Sequence, residues 1–294
     1  MIFEPPATRF LASSADPDGQ PGQAAVAAAV FGAPLDMTET FRGGTHGGPA
    51  AVRYMSDALE TYSPDLERDL EDLLVYDMGD VPMQGVDMAD ALARIADAMA
   101  EAARRSRLAV MIGGEHTASL GGFRGLTRVY PDAVMLQVDA HLDMRHDYEG
   151  ELFSHATWLH RLGEEYGFDI IHQVGLRSGA RAEWHFARRR TAWSTTELGL
   201  PARVRQSIGS RPVYVSVDID VLDPAHAPGT GCPEPGGVTF RELADFVHGL
   251  AGLHVVAMDV MEVSPNLDGA NITAAAAAKI IREAILLFGA AARD

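Results

Sequence analysis

Val134-Met-Leu-Gln-Val138 is a mainly apolar run that leads directly into Asp139-Ala-His141-Leu-Asp143. The run has the length and aliphatic content of a strand that is buried on both faces, which is typical of a parallel sheet covered by helices. If the extended conformation persists beyond the run, the side chains of Asp139, His141 and Asp143 point the same way. The stretch therefore predicts both a fold and a polar site at the end of one strand.

The same pattern occurs twice more along the chain. Val213-Tyr-Val-Ser-Val217 precedes Asp218-Ile-Asp220, and the apolar residues 108–112 precede Gly-Gly-Glu-His116. The carboxyl ends of parallel strands lie along one edge of the sheet, which is where open α/β sheets bind their ligands. We therefore expect the three polar motifs to meet at this edge.

Apolar, strand-like runs alternate with helical patterns along most of the chain. Strands are predicted at residues 26–32, 73–78, 108–112, 134–138, 170–176, 213–217 and 255–260, with a weaker one near 191–194. Helices are predicted at residues 49–61, 88–105, 118–130, 155–165, 180–189, 240–250 and 272–288. This alternation predicts a three-layer α/β/α fold around a parallel sheet of about eight strands. No linker divides the series, so an irregular N-terminal arm (residues 1–23) is expected to precede one domain (residues 24–294).

Composition narrows the class of protein. The 294 residues are 47% hydrophobic and 22% charged, as in soluble globular domains. The net charge of −17 argues against nucleic acid as a partner, because such binding requires clustered Lys and Arg. There is no pattern typical of a signal peptide or a membrane-spanning segment, and Cys232 is the one cysteine. These features predict a cytoplasmic protein without membrane association or a disulfide.

The residues at the three strand ends suit a pair of divalent cations. A carboxylate removed from water costs several kcal/mol unless it is neutralised, and converging aspartates also repel one another. Two divalent cations offset four carboxylates, and a metal pair can activate water for hydrolysis. Ligands that are mainly oxygen, with two imidazoles, favour Mn²⁺ over a metal that prefers thiolates. The predicted metal ligands are His116, Asp139, His141, Asp143, Asp218 and Asp220.

Three longer motifs resemble the ureohydrolase family, which comprises the agmatinases, arginases and relatives that cleave guanidino groups to urea. They are Gly-Gly-Glu-His-Thr (113–117), Asp-Ala-His-Leu-Asp-Met-Arg (139–145) and Ser-Val-Asp-Ile-Asp-Val-Leu-Asp-Pro-Ala-His-Ala-Pro-Gly-Thr-Gly (216–231). The resemblance covers nearly all of the chain after the predicted arm and is strongest to the agmatinases. It implies a parallel α/β/α fold, a homo-oligomer and two Mn²⁺ ions per subunit on the same six ligands, although other divalent cations are possible.

The resemblance also assigns roles to two residues that have no evident function on their own. His155 lies in Phe-Ser-His-Ala-Thr-Trp (153–158), which implies that it transfers protons to the departing amine, together with Asp143. Glu262 lies in Met-Glu-Val-Ser-Pro (261–265), which implies that it binds the guanidinium group through two parallel hydrogen bonds. Cys232 occupies a position where the family commonly has threonine, and we interpret it as a packing residue at the rim of the site.

The substrate is expected to be a small cationic guanidino compound. Asp147, Glu149 and Glu151 follow the Asp-x-His-x-Asp motif, and acids at the mouth favour a cationic tail over a carboxylate. This favours agmatine, which would be hydrolysed to urea and putrescine in polyamine synthesis. Guanidinobutyrate, aminopropyl-agmatine, guanidine and arginine are alternative substrates. A metal-dependent amide deacetylase on the related fold is a further alternative, although the chain has no His-His pair, and so is a catalytically silent binding protein.

Overall fold

The computed structural model describes residues 2–15 and 26–290. The strands are β1 (Ser13–Ser14), β2 (Ala28–Ala33), β3 (Tyr62–Ser63), β4 (Arg68–Asp69), β5 (Val75–Asp80), β6 (Leu108–Gly113), β7 (Val134–Val138), β8 (Ile171–Val174), β9 (Trp193–Ser194), β10 (Pro212–Asp218) and β11 (His254–Met261). The helices are α1 (Gly48–Ser56), α2 (Met88–Arg105), α3 (Ala118–Leu126), α4 (Trp158–Tyr166), α5 (Arg181–Arg190), α6 (Ala202–Ile208), α7 (Phe240–Gly249) and α8 (Ile272–Ala284). Within the described ranges, no helix is both long and apolar enough to cross a membrane.

Nine strands form one sheet in the order β1-β5-β2-β6-β11-β10-β7-β8-β9, and each pair of neighbours is parallel. The short strands β3 and β4 form a separate antiparallel pair. The predicted parallel α/β architecture is confirmed. The ninth strand comes from the predicted N-terminal arm, where Ser13 and Ser14 pair with Val75 and Tyr76 of β5.

The described part of the arm is attached to the edge of the sheet. The Phe10 side chain is buried, and its backbone nitrogen donates to Asp77 Oδ2 at 2.8 Å. Glu4 forms an isolated antiparallel bridge with Asp80. Residues 16–23 of the predicted arm lie outside the described residues. Residues 2–15 thus contribute an edge strand and a buried ring to the fold.

Apolar side chains cover both faces of the sheet, as expected for strands that are buried on both sides. Along β6, Val110 and Ile112 belong to a core cluster that also contains side chains from α1, α7 and α8. Ala109 and Met111 belong to a second cluster with side chains from α2, α3 and α4. Because neighbouring side chains of a strand point to opposite faces, these two clusters fill the two interfaces of a three-layer fold.

Two helices differ from the sequence prediction, and one of the differences affects the site. Helix α4 begins at Trp158, so His155 lies in the preceding loop rather than in the helix. The Thr157 hydroxyl holds that loop by accepting from the Ser154 backbone nitrogen and donating to the Leu152 carbonyl, both at 2.8 Å. Helix α6 was not predicted, because its seven residues are too few for a clear helical period.

Candidate active site

The six predicted metal ligands lie together at the carboxyl ends of β6, β7 and β10. His116 reaches this edge through a tight segment that follows β6. A Cβ atom at Gly114 would lie 1.9 Å from the Leu35 carbonyl oxygen, so only glycine fits there. Backbone hydrogen bonds from Gly114 to Ala33 and from Glu115 to Leu35, both 2.8 Å, fix the segment that carries His116.

The other two motifs reach the site through turns, and this differs from the extended conformation expected. Strand β7 ends at Val138, and Asp143 has a left-handed backbone with φ of 52°. Asp220 lies in the 3-10 turn Ile219–Val221, with its backbone nitrogen donating to Asp218 Oδ1 at 2.9 Å. A left-handed conformation is costly for a residue other than glycine and is often found at functional sites. Strand ends and tight turns together therefore bring the aspartates to one point.

Five of the six predicted ligands form two groups that share one carboxylate. His116, Asp139 and Asp218 have ligand atoms close enough to hold one ion, and so have Asp139, His141 and Asp220. Asp139 Oδ2 lies 3.2 Å from His116 Nδ1, whereas Asp139 Oδ1 lies 3.8 Å from His141 Nδ1. One carboxylate thus offers a separate oxygen to each group, so Asp139 would be shared between the two groups if both held a metal ion.

His116 Nδ1 faces three carboxylate oxygens. It lies 3.1 Å from Asp218 Oδ2, 3.2 Å from Asp139 Oδ2 and 3.3 Å from Asp143 Oδ2. The His116 ring also stacks on Trp158, with ring centroids 4.5 Å apart. In the second group, His141 Nδ1 lies 2.8 Å from Asp220 Oδ2.

The electrostatics of this buried cluster fit the binding of cations. Burial and the Asp139 carboxylate raise the pKa of Asp143, and burial and Asp220 raise the pKa of Asp218. Burial lowers the pKa of His141, but Asp220 and Asp139 outweigh it and bring that pKa to about 11. Burial and neighbouring carboxylates thus oppose the ionised forms of Asp143 and Asp218, and additional positive charge at the cluster would favour those forms. Carboxylate and imidazole donors that need additional positive charge are suitable for divalent metal ions.

Glu262 and His155 border the same cavity. Glu262 follows β11 with φ of 65°, and its Oε1 accepts from the His116 backbone nitrogen at 2.6 Å. Burial and the nearby Asp218 raise the pKa of Glu262 well above its usual value. His155 Nδ1 is buried and has no hydrogen-bond partner among the described residues. Burial lowers the pKa of His155, so its imidazole is neutral near pH 7.

The cavity has a volume of about 430 Å³. Besides ligands from the cluster, Glu262 and His155, its lining includes Cys232, Arg145, Tyr148 and Glu183. Burial and nearby carboxylates, Glu262 foremost among them, raise the pKa of Cys232 to about 12. The thiol is therefore protonated near neutral pH, which supports its interpretation as a packing residue.

The predicted acids of the 147–151 segment do not line this cavity. The exposed Asp147 side chain lies 3.3 Å from the His146 ring. Glu149 and Glu151 line a neighbouring cavity of about 580 Å³, to which Glu39 also contributes. Thr40 and Tyr148 border both cavities. The structure thus brings the six ligands, Glu262 and His155 together, but leaves these three acids apart from them.

A row of polar side chains beneath the predicted ligands is not evident from the sequence motifs. Gln137, Ser216 and Asp259 lie in register on the neighbouring strands β7, β10 and β11. Gln137 Nε2 donates to Asp139 Oδ2 at 2.6 Å, and the Ser216 hydroxyl contacts the His116 ring. The sequence does contain a signal for this row, because each of these three polar residues interrupts an otherwise apolar strand shortly before the polar motif that follows the strand.

Comparisons with known proteins identify the family of this chain. A model of the Arginase family matches residues 26–287. The chain belongs to the arginase family. The agmatinase of Bacillus subtilis is 39% identical over 265 residues, which cover 89% of this chain and 91% of that protein. The agmatinase of Bacillus cereus is 37% identical over 261 residues, covering 87% and 90% respectively.

The fold of this arginase-family ureohydrolase is also found in solved structures. The proclavaminate amidino hydrolase of Streptomyces clavuligerus superposes with a TM-score of 0.85 at 31% identity, covering 96% of this chain and 97% of that one. The predicted family and fold class are thus confirmed. The roles of the individual site residues stay predictions.

Proposed function

We propose that this arginase-family protein hydrolyses agmatine to urea and putrescine with two Mn²⁺ ions bound by the six-residue ligand cluster. The observation that carries the proposal is the pair of ligand groups that share Asp139 and whose other members line the cavity. Relatives at 37–39% identity include agmatinases. Divalent cations held by these residues would supply positive charge and would lower the pKa of a bound water, which makes it a nucleophile near neutral pH.

Glu262 is proposed to bind and orient the guanidinium group. Its Oε1 is fixed by the hydrogen bond from the His116 backbone, which leaves Oε2 and a remaining lone pair for the substrate. Guanidinium and carboxylate groups pair through parallel, charge-assisted hydrogen bonds. The reacting carbon would therefore be held next to the ligand cluster in a fixed orientation, which lowers the entropic part of the barrier.

His155 is proposed to deliver the proton to the departing amine. Its Nδ1 has no partner among the described residues, so this atom is free to exchange a proton with a substrate in the cavity. A neutral imidazole can accept a proton at one step and release it at the next. Asp143, whose Oδ2 faces the cluster, is proposed to assist that transfer as well as to bind metal.

The substrate tail is proposed to be cationic. Arg145 lines the cavity but lies 3.5 Å from Glu183, which offsets its charge, and it also covers the Tyr148 ring at 4.6 Å. Glu149 and Glu151 contribute negative charge through the neighbouring cavity. Such a field attracts a terminal ammonium group and opposes a carboxylate.

A longer guanidino polyamine is a second candidate substrate. The neighbouring cavity is lined by the three carboxylates of Glu39, Glu149 and Glu151 and by apolar side chains such as Met88 and Phe153. The second ammonium group of such a polyamine would match the three carboxylates, and its extended hydrocarbon chain would match the apolar side chains. An experiment that includes aminopropyl-agmatine distinguishes the two substrates.

The test is urea release by the Mn²⁺-loaded protein from agmatine, aminopropyl-agmatine, guanidinobutyrate, arginine and guanidine. We expect the highest kcat/KM with agmatine, and a replacement of Glu262 by Gln should lower it strongly for every guanidino substrate. Absence of urea from all five compounds would refute the ureohydrolase proposal. A preference for guanidinobutyrate, which has a carboxylate tail, would refute the proposal that the substrate tail is cationic.

We also propose that the enzyme is a cytoplasmic homo-oligomer. The single cysteine and the negative net charge support a reducing compartment and a soluble enzyme. Light scattering of the purified protein measures the oligomer, and a monomer at micromolar concentration would contradict this part of the proposal.

A further inference from the structure

Asp259 is a buried carboxylate in the middle of the sheet, on β11 between β6 and β10. Three hydroxyl groups donate to it, each at 2.7 Å: Ser119 and Tyr214 to Oδ2, and Ser216 to Oδ1. Among the residues that the structure describes, no Lys or Arg forms an ion pair with Asp259. A charged group in such a position is costly, so its presence in the sheet calls for a physical explanation.

The Ser216 hydroxyl connects Asp259 to the ligand cluster. Its single proton is donated to Asp259, so its oxygen must act as the acceptor toward His116 Nε2, which lies 2.9 Å away. A neutral imidazole that carries its proton on Nε2 has its lone pair on Nδ1. His116 Nδ1 is the atom that faces the carboxylates of Asp139 and Asp218.

We propose that Asp259 is a positioning residue, which acts through Ser216 to hold His116 in the tautomer whose Nδ1 lone pair faces the ligand cluster. Removing the carboxylate frees the Ser216 proton to turn toward Nε2, which favours the opposite tautomer. Hydrogen bonds of this kind fix ring orientation and raise the basicity of ligating histidines. The inference rests on the proposed function in that it takes a divalent cation as the ligand.

The register of the sheet explains why this arrangement is rigid. Ser216 pairs with Asp259 on one side and with Gln137 on the other. Gln137 in turn donates to Asp139 Oδ2 at 2.6 Å. Backbone hydrogen bonds between neighbouring strands thus fix the positions of Ser216 and Gln137 relative to each other. Ser216 orients His116, and Gln137 orients the shared carboxylate of Asp139.

The experiment compares Mn²⁺ affinity among three variants, using the electron paramagnetic resonance signal of free Mn²⁺. We expect Ser216→Ala and Asp259→Asn to bind the ion about 10–100 times more weakly than the wild type. Tyr214→Phe is the matched control, because it removes one donor to Asp259 but leaves the link between Ser216 and His116 intact. Its affinity should stay near that of the wild type. Alanine is smaller than serine, so Ser216→Ala causes no steric clash. This variant can therefore still be measured if Asp259→Asn does not fold.

A second readout observes the tautomer itself. In the ¹⁵N-labelled protein loaded with diamagnetic Zn²⁺, we expect His116 to show a protonated Nε2 and a metal-bound Nδ1. A proton on Nδ1, or wild-type Mn²⁺ affinity in Ser216→Ala, would overturn the inference. The proposed activity is tested separately, since a wild type that binds Mn²⁺ but releases no urea would refute only the ureohydrolase proposal.

Discussion

Trp158 Nε1 donates a 2.7 Å hydrogen bond to Asp143 Oδ2, the carboxylate oxygen that also faces His116 Nδ1. The Trp158 ring stacks on His116 as well. One buried side chain at the start of α4 therefore orients two members of the ligand cluster. It also excludes water from one side of them, which strengthens their interaction with any bound cation.

Replacing Trp158 by Phe should separate the hydrogen bond from the stacking. Phenylalanine can keep the ring contact with His116 but cannot donate to Asp143, so Mn²⁺ affinity should fall by about tenfold. Isothermal titration calorimetry measures this change. Trp193→Phe is the control, because Trp193 Nε1 has no partner among the described residues and no hydrogen bond is lost. Equal affinities of the two variants would contradict the role of Trp158.

Asp139 and Asp220 should differ in how many metal ions they help to retain. Asp139 belongs to both ligand groups, whereas Asp220 belongs to one. We expect Asp139→Asn to lose both ions and Asp220→Asn to lose one, because an amide supplies less negative charge than a carboxylate. Inductively coupled plasma mass spectrometry after dialysis gives the metal content per chain. Equal retention by the two variants would show that Asp139 does not bridge.

The positions of the six ligands were predictable because two independent properties coincide in the sequence. Apolar runs such as residues 134–138 define buried strands, and the costly carboxylates that follow them require a compensating charge. The topology of parallel sheets then places Asp139 and Asp218 at the same edge. Local sequence and a general rule of sheet architecture were therefore sufficient to predict where the six ligands lie.

Other features depend on contacts that no local pattern contains. The left-handed backbone of Asp143 and the loop that precedes α4 at His155 are held by tertiary interactions. The alignment of Ser216 with Asp259 depends on strand register, which neither sequence segment specifies alone. The same limitation explains why the acids at residues 147–151 were expected near the ligands, whereas Glu149 and Glu151 face the neighbouring cavity.

A buried ion pair should dominate the stability of the edge of the sheet that carries the N-terminal arm. Arg53 on α1 donates to Asp77 Oδ2 at 2.7 Å and to Oδ1 at 2.9 Å, and both side chains are almost fully buried. Asp77→Ala leaves the guanidinium without this partner and should lower the free energy of unfolding by about 3–5 kcal/mol. Urea denaturation measures the change.

The exposed pair of Arg128 and Asp97 is the control for that experiment. Its side chains are 46% and 60% exposed, so Asp97→Ala should cost less than about 1 kcal/mol. Similar losses of unfolding free energy in the two variants would mean that burial does not determine how much the Arg53 pair contributes to stability. A loss in Asp77→Ala as small as that of an exposed pair would contradict the prediction directly.

Glu39 should make the stability of the protein depend on pH. Burial raises its pKa from 4.5 to about 7, with Asp36 and Glu115 adding to the rise. Between these two values the folded state binds more protons than the unfolded state, so this group destabilises the fold progressively as pH increases. At pH 8 the ionised Glu39 carboxylate destabilises the fold to its full extent. At pH 4.5 or below most of this destabilisation is absent.

Glu39→Gln removes that charge and should therefore raise Tm at pH 8 but not at pH 4.5. Since the side chain is only partly buried, we expect a gain of about 2–4 °C, which corresponds to roughly 1 kcal/mol. Differential scanning calorimetry of both proteins with saturating Mn²⁺ at each pH measures it. Glu60→Gln, at an exposed position, controls for the loss of one negative charge from the surface. A gain at pH 4.5 equal to that at pH 8 would show that ionisation of Glu39 is not its source.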